Sequence, residues 1–313
     1  HSGVSIPTRE MTGLKRVVSV SIGSATRNSS SEIEVLGERI QIERIGTDGD
    51  LEKAAALIRE LDGKVDAIGI GGMDLYIGWG QHKYVFRDAK KLIAGAKQTP
   101  IVDGTGLKDG LEAYLVKYLQ EAGIDFSDKK VLVVSMMDRF GLGQALTEVS
   151  REIIYGDLMF CLQIPIPLRR VSSLKGLARI VAPVICQLPF KLVYPTGAKQ
   201  HEITPRFQKY YAWADVIAGD FHFIRKFMPE DLSGKMIITN TVTPENRREL
   251  QARKVATLVT TTPNIGGRAY GTNVMEALLV AISGRPAGEL NPADYLELLL
   301  KIGFKPDIQQ LNN

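Results

Sequence analysis

Residues 129–157 read KKVLVVSMMDRFGLGQALTEVSREIIYGD, and this stretch decides the predicted fold. Its apolar run VLVV predicts a buried strand, which a glycine-containing turn follows. A helical pattern comes next, and EIIY predicts a second strand that ends at Gly156 and Asp157. A strand, a glycine turn, a helix and a second strand with a terminal acid outline a dinucleotide-binding unit.

The turn after the first strand departs from the usual phosphate-binding sequence. A G-x-G-x-x-G fingerprint follows its strand directly, whereas here Ser135 and Arg139 come before Gly141 and Gly143. Two glycines before a helix would let backbone N–H groups approach a pyrophosphate, and the arginine would attract it. The alternative is a long strand-to-helix turn that binds no nucleotide.

Asp157 bears on the choice of cofactor. An acid at the end of this strand binds the ribose hydroxyls in nicotinamide enzymes, and its charge disfavours a 2′-phosphate. The alternative is a turn aspartate that caps the next segment of the chain. Arg169 and Arg170 lie further along the chain and are placed to bind a 2′-phosphate, so the prediction is NAD or NADP.

The remaining pattern alternates strands and helices in both halves of the chain. Thr239 and Thr261 follow two later strands, where their hydroxyls either line a cofactor or substrate pocket or cap loops. We therefore expect an α/β fold of two doubly wound three-layer lobes, the second Rossmann-like, with a ligand cleft between them. The predicted domains are an N-terminal substrate-type domain over 11–123 and a Rossmann-like domain over 124–313, with residues 1–10 a cloning remnant.

Composition limits the class of protein. The net charge of +4 over 313 residues is small, so nucleic acid is not an expected partner. Cys161 and Cys186 stand alone in apolar surroundings, which fits a reducing compartment and gives neither a disulfide framework nor a metal site. No apolar run reaches the ~20 residues of a membrane span. A cytoplasmic protein with a small-molecule substrate is expected, with a homodimer as an option.

Two further motifs carry a family resemblance. Residues 102–107 read VDGTGL before a helix and the strand at 131, and this run resembles the hinge region of the shikimate/quinate dehydrogenase family. In that family an N-T-D-G-x-G-F motif holds a catalytic aspartate, which matches Asp103. The family's general acid/base lysine lies in a P-H-K motif, for which Gln81-His82-Lys83 is the candidate match.

The resemblance implies a function and a set of site residues. It implies an NAD(P)-dependent oxidoreductase acting on a cyclic polyhydroxy acid such as quinate or shikimate, with Lys83 and Asp103 catalytic. Ser19 and Ser21 correspond to substrate-binding serines of the family. The chain departs from the family where Ile101 and Val102 replace asparagine and threonine. For Lys83 a solvated surface charge is the alternative, and for Asp103 a turn or capping role.

Other features leave a different function open. The loop 266–273, GGRAYGTN, precedes an apolar helix and ends at Asn273, which is a further predicted substrate-binding residue because a glycine loop, an arginine and a helix N-terminus form an anion site. Asp220 and His222 form an Asp-x-His pair that either acts in acid/base or metal chemistry or is a helix cap with a buried histidine.

The segment 158–201 contains six Lys and Arg residues and no Asp or Glu. Residues 168–181 have helical apolar spacing with the bases interleaved. The part over 168–191 either binds an anionic ligand or a membrane surface, or packs as a helix whose basic side chains are solvated. The alternative function is therefore a non-catalytic or differently catalytic α/β protein that binds an anionic or lipid-like ligand.

Overall fold

The structure is a computed structural model that describes residues 13–194, 202–262, 264–265 and 268–313. The predicted cloning remnant and the glycines of the 266–267 pair lie outside these residues. The described strands, in chain order, are β1 Lys15–Ser21, β2 Ser29–Val35, β3 Glu38–Gly46, β4 Ala67–Gly71, β5 Tyr76–Trp79, β6 His82–Val85, β7 Ile101–Val102, β8 Lys130–Val133, β9 Glu152–Tyr155, β10 Val216–Ala218, β11 Met236–Thr239, β12 Thr257–Thr260, β13 Asn264–Ile265, β14 Arg268–Ala269 and β15 Asp307–Gln310.

The described α-helices occupy most of the connections between these strands. They are α1 Leu51–Leu61, α2 Arg87–Ile93, α3 Thr105–Glu121, α4 Phe140–Val149, α5 Val171–Ile185, α6 Phe190–Val193, α7 Gln208–Trp213, α8 Phe221–Phe227, α9 Pro244–Ala252, α10 Thr272–Ser283 and α11 Pro292–Ile302. Local chemistry sets several of their starts. Asp50, Thr243 and Asn291 cap α1, α9 and α11 through their side chains, as their positions before helical patterns predict.

The chain divides into two compact units. Among the described residues, the first unit contains a five-stranded sheet in the order β2-β3-β1-β4-β7. Strands β3, β1, β4 and β7 are parallel and β2 is antiparallel at the edge. Helix α10 packs on β1 and β4, and α1 packs against β1 and α2. Because β1 lies between strands that follow it on both sides, the strand order reverses there, and open α/β sheets bind ligands at the carboxyl ends near such a point.

The second unit is a doubly wound sheet with a core on each face. Its described strands follow the order β15-β12-β11-β10-β8-β9, parallel except for β15. Strand alternation separates the two cores: Leu132 and Val134 belong to one, while Val131 and Val133 belong to the other. One core includes residues of α7, α8 and α9, and the other includes residues of α3 and α4. The predicted α/β class, with two doubly wound units and the second Rossmann-like, is confirmed.

The two units do not have the residue ranges of the predicted domains, 11–123 and 124–313. The first unit contains residues 1–75, 87–107 and 264–304, and the second contains 76–86, 108–263 and 305–313. The β5–β6 hairpin and most of α3 thus belong to the second unit. For α3 the reason is that its Leu115 and Leu119 belong to a core of that unit. Helix α10 belongs to the first unit because it covers β1 and β4.

Within the described residues, no helix combines the length and the hydropathy that crossing a membrane requires.

Candidate functional site

A polar face lies near the carboxyl ends of the first unit's sheet. Ser19 and Ser21, both buried, lie two residues apart on β1 and therefore on the same face. The Ser19 hydroxyl donates to Asn273 Oδ1 over 2.7 Å, although the two residues are 254 positions apart in the chain. The three residues predicted to bind substrate are thus brought together, while their role stays a prediction.

Glycines allow α10 to approach this face closely. A β-carbon at Gly69 would lie 2.8 Å from the Asn273 carbonyl oxygen, and one at Gly71 would lie 3.3 Å from Asn273 Nδ2. The helix begins after Gly271, which has no side chain to cap its first amides. A helix N-terminus carries partial positive charge and free N–H groups. The start of α10 therefore adds hydrogen-bond donors and positive potential beside Asn273.

Arg44 supplies a positive charge on the same face. It lies on β3 opposite Ser19 of β1, and its guanidinium donates to Ser21 Oγ over 3.1 Å and to the Ser24 carbonyl over 3.0 Å. Both partners are neutral, and among the described residues no carboxylate pairs with Arg44. Burial, and then repulsion by Arg27, lowers the pKa of Arg44. A half-buried cation beside a second cation is therefore left without a counter-charge.

Arg44 was missed by the sequence predictions. Its signal is an arginine in phase with Ile40 and Ile42, both buried on the same face of β3. Strand alternation therefore indicates that Arg44 points toward the interior of the fold, where an arginine needs partners.

Asp103 and Lys83, the predicted catalytic pair, fall in different units. The Asp103 carboxylate is buried and accepts hydrogen bonds from the Leu75 N–H (2.8 Å) and the Thr105 N–H (2.9 Å). It thus ties the loop after β4 to the start of α3. Lys83 is exposed on the β5–β6 hairpin, with its Nζ 4.5 Å from the centre of the Tyr76 ring. Their catalytic roles stay predictions.

In the second unit, Asp157 occupies the turn that was predicted to bind phosphate. Its carboxylate accepts hydrogen bonds from the backbone N–H groups of Met136 (3.1 Å) and Met137 (3.0 Å). Burial raises the pKa of Asp157 to about 6, against the lowering effect of these hydrogen bonds. An internal carboxylate therefore takes the amides after β8 that a pyrophosphate would use.

Arg139 is held by carboxylates of its own unit. Its guanidinium lies 2.9 Å from Glu112 Oε1 and 3.3 Å from Asp220 Oδ2, and its side chain is buried. Burial alone would lower the pKa of Arg139, but Glu112, Asp138 and Asp220 outweigh that effect and raise it. Glu112 was missed by the sequence predictions, since a single acid in an amphipathic helix gives no local sign that it faces a buried arginine.

The predicted glycines serve packing within this unit. Gly141 and Gly143 lie inside α4 rather than in an open loop. A β-carbon at Gly143 would lie 2.8 Å from Met136 Cγ, and one at Gly141 would lie 3.2 Å from the Asp109 backbone. The Leu142 N–H between them donates to Glu112 Oε2 over 3.0 Å. Both glycines therefore permit close contact between elements of the unit.

The remaining predicted cofactor residues are buried at the same sheet edge. Ser135 Oγ accepts a weak hydrogen bond from Cys161 Sγ at 3.6 Å. Thr239 Oγ1 donates to the Gly219 carbonyl over 2.8 Å, and the Thr261 N–H donates to the Thr239 carbonyl over 3.2 Å. These groups connect the carboxyl ends of the strands to one another. The described geometry of the turn after β8 does not fit a pyrophosphate, and NAD or NADP binding stays a prediction.

The Asp220–His222 pair is a helix cap. Asp220 caps α8 by accepting from the His222 N–H over 2.9 Å, while the His222 side chain is exposed. The capping prediction is therefore confirmed, and the prediction of a buried histidine is wrong because His222, the second residue of α8, faces solvent. Within the described residues, no group of three or more His, Cys, Asp and Glu side chains is arranged to hold a metal.

Together these features define a two-unit α/β protein with an arginine-bearing polar face on its first sheet. Residues 106–311 match the family described as "Domain of unknown function (DUF8754)", and residues 16–103 match "Domain of unknown function (DUF8753)". The chain belongs to the DUF8754 family, whose match covers more than half of it. The two matches meet near residue 105, rather than at the predicted boundary of 123. No curated protein matches the chain.

Several solved structures resemble the chain at low identity. A galactofuranose binding protein has 12% identity, 92% coverage of this chain and 98% of its own, and a TM-score of 0.38. A periplasmic solute binding protein from Actinobacillus succinogenes with bound D-allose has 10% identity, 95% and 98% coverage, and a TM-score of 0.38. NAD-dependent malic enzyme from Thermotoga maritima has 13% identity, 92% and 84% coverage, and a TM-score of 0.36. Similarity at this level bears on neither ligand nor reaction.

Proposed function

We propose that the protein binds a small hydroxylated anion on the polar face of its first unit. Arg44 carries this proposal, because it is a half-buried guanidinium whose described partners are a hydroxyl and a carbonyl. Removing a cation from water is costly unless an opposite charge compensates it. A carboxylate or phosphate on the ligand would supply that charge.

The contrast with the second unit supports the assignment. Arg139 at the carboxyl edge of that sheet already has Glu112 and Asp220 as ion-pair partners. The turn beside it is occupied by Asp157. Of these two arginines, Arg44 is therefore the one that has no acidic partner among the described residues.

The neighbouring groups indicate the rest of the ligand. Ser19, Ser21 and the Asn273 amide are polar groups that exchange hydrogen bonds with hydroxyls. Tyr270 adds a further hydroxyl, 3.1 Å from Ser31 Oγ. An anionic group at Arg44 with hydroxyls along these side chains describes a hydroxy acid or a sugar phosphate.

Calorimetric titration with quinate, shikimate, a sugar phosphate and inorganic phosphate tests the proposal. We expect binding by at least one of these anions and a loss of about tenfold or more in affinity for Arg44→Gln, since a charge-assisted hydrogen bond contributes about 1.5–3 kcal/mol. Arg39→Gln is the matched control, because Arg39 lies on the same strand but is exposed and pairs with Glu32. Equal affinity of the wild type and Arg44→Gln, or no binding of any of these anions, would contradict the proposal.

The dehydrogenase hypothesis stands beside this one as a prediction. Quinate and shikimate belong to the proposed ligand class, and the second unit has the parallel sheet of a nucleotide-binding fold. Incubation with NAD or NADP and either acid, followed by the absorbance of the reduced cofactor, tests it separately. Binding of the acid without turnover would support the ligand site and reject the dehydrogenase.

A further inference from the structure

The surface of α5 and α6 carries a row of exposed aliphatic side chains. The row consists of Ile180 and Val184 of α5, Leu188 in the turn after it and Leu192 of α6, and we call it the aliphatic row. Their exposures are 74%, 63%, 39% and 73%. Large aliphatic groups are usually covered, and a contiguous exposed group of them marks an interaction surface.

The opposite side of α5 is the side that packs into the protein. Leu174, Ala178 and Ala182 of α5 are buried, and Leu174 belongs to a core of the second unit. Positions 174, 178 and 182 face inward, so the row at 180 and 184 lies on a different side of the helix. The aliphatic row is therefore additional to what α5 needs for folding.

Basic residues adjoin this row in the sequence. Arg179 and Lys191 are exposed directly beside Ile180 and Leu192, and Arg170 is exposed at the start of α5. Among the described residues, no acidic side chain pairs with these three. A cation at a helix N-terminus opposes the helix dipole, so Arg170 does not contribute to helix stability by its charge. The segment 158–201 contains no Asp or Glu.

The positive charge beside the aliphatic row distinguishes between two possible partners, a second copy of the chain and an anionic lipid surface. In a two-fold dimer the same patch faces itself, which would place Arg179 and Lys191 against their own copies without acids from this segment. An anionic lipid surface complements both the bases and the aliphatic groups. An amphipathic helix with a basic polar face lies in the plane of such a surface and inserts its apolar side chains.

We propose that α5 and α6 dock the protein on an anionic membrane surface through the aliphatic row and its flanking bases. The helix lies flat, and Ile180, Val184 and Leu192 enter the headgroup region while Arg179 and Lys191 contact lipid phosphates. This surface belongs entirely to the second unit. It is independent of the ligand site proposed for the first.

Flotation of the full-length chain with lipid vesicles tests this proposal. The vesicles contain phosphatidylcholine alone or with about 30 mol% phosphatidylglycerol. We expect the wild type to float only with the anionic vesicles and to be released by high salt. Ile180→Ser/Val184→Ser and Arg179→Gln/Lys191→Gln should each reduce the bound fraction about tenfold or more.

Leu36→Ser is the matched control, because Leu36 is 47% exposed on the first unit and lies outside the row. It should float like the wild type, and thermal melts should show that all variants fold. Failure of the wild type to float with anionic vesicles would overturn the proposal, as would flotation of both double variants at the wild-type level. A wild-type dimer in analytical ultracentrifugation that Ile180→Ser/Val184→Ser converts to a monomer would also overturn it in favour of self-association.

Discussion

The Asp157 carboxylate occupies backbone N–H groups of the turn after β8 that would otherwise be open to a ligand. Its two oxygens hold the Met136 and Met137 amides, and burial raises the pKa of Asp157 to about 6. A folded-state pKa above the unfolded value means that the carboxyl contributes most to stability below about pH 4. That contribution is lost as the pH rises through about 6.

Asp157→Asn should therefore change the pH dependence of stability. The raised pKa corresponds to about 3 kcal/mol between pH 4 and pH 7, and asparagine cannot titrate. We expect the free energy of unfolding of the variant, relative to the wild type, to improve by about 2–3 kcal/mol over this range. Urea denaturation at several pH values measures the difference.

Asp62→Asn is the control of opposite sign. Asp62 accepts hydrogen bonds from the backbone N–H groups of Thr99, Lys97 and Gln98, which lower its pKa. Its contribution to stability is present above the unfolded pKa and is lost as the pH falls, so this variant should worsen relative to the wild type as the pH rises. A pH-independent difference for Asp157→Asn would contradict the assigned pKa.

Sequence patterns locate such residues better than they locate their contacts. The apolar run before Ser135 and the run before Gly156 placed Asp157 at a strand end, as the structure has it. Whether its carboxylate turns outward to a ribose or inward to Met136 depends on side-chain geometry that no local pattern contains. Arg44 was missed for a similar reason, since its importance lies in side-chain contacts: its partners are a hydroxyl and a carbonyl, and among the described residues no carboxylate pairs with it.

At the scale of elements, the contact between the strand edge and α10 depends on Gly104. Gly104 has φ +95°, and a β-carbon there would lie 2.9 Å from the Asn273 backbone nitrogen. A side chain at this position would meet both an unfavourable backbone conformation and the start of α10. The position of Asn273 in the proposed ligand site therefore depends on this glycine.

Gly104→Ala should destabilise the protein more than Gly123→Ala. Gly123 has nearly the same φ, +94°, but nothing within 4 Å of a β-carbon. We expect about 1–2 kcal/mol for Gly123→Ala from the backbone alone. For Gly104→Ala we expect roughly 2–4 kcal/mol, together with weaker anion binding. Chemical denaturation and calorimetric titration measure the two effects, and equal losses of stability would show that the contact with α10 is unimportant.

The elements themselves were largely predictable. Short apolar runs bounded by turns predicted β8 to β12, and capping residues predicted the starts of α1, α9 and α11. Strand β15 was not predicted, because its sequence DIQQ lacks an apolar run. It forms through pairing with β12 at the sheet edge, which is a tertiary effect.

At the scale of the whole molecule, local sequence patterns did not reveal which of the two sheets α10 packs against. Its apolar sequence predicts burial, but burial against either sheet satisfies that pattern equally. Its contacts with β1 and β4 assign α10 to the first unit. The helix begins at Thr272, about 170 residues after β7 ends at Val102. The predicted boundary at 123/124 treated each unit as one continuous stretch, and the chain does not follow that arrangement.

Residues 13–107 alone should consequently fail to fold cooperatively. Without α10, the face of β1 and β4 loses Val274, Ala277 and Leu278, which are buried in the intact chain. Appending residues 264–304 through a flexible glycine–serine linker should restore a cooperative urea transition and a near-ultraviolet dichroism spectrum. A cooperative transition of residues 13–107 without the appended segment would contradict the role given to α10.

The late position of α10 also sets the order in which the protein matures on the ribosome. The first sheet's strands leave the exit tunnel early, but the helix that covers them is synthesised after Thr272. At translation rates of about 5–20 residues per second, roughly ten to forty seconds separate these events. During that interval one face of the nascent sheet stays open to chaperones or to neighbouring chains, so the first unit is completed only after residues 264–304 have been synthesised.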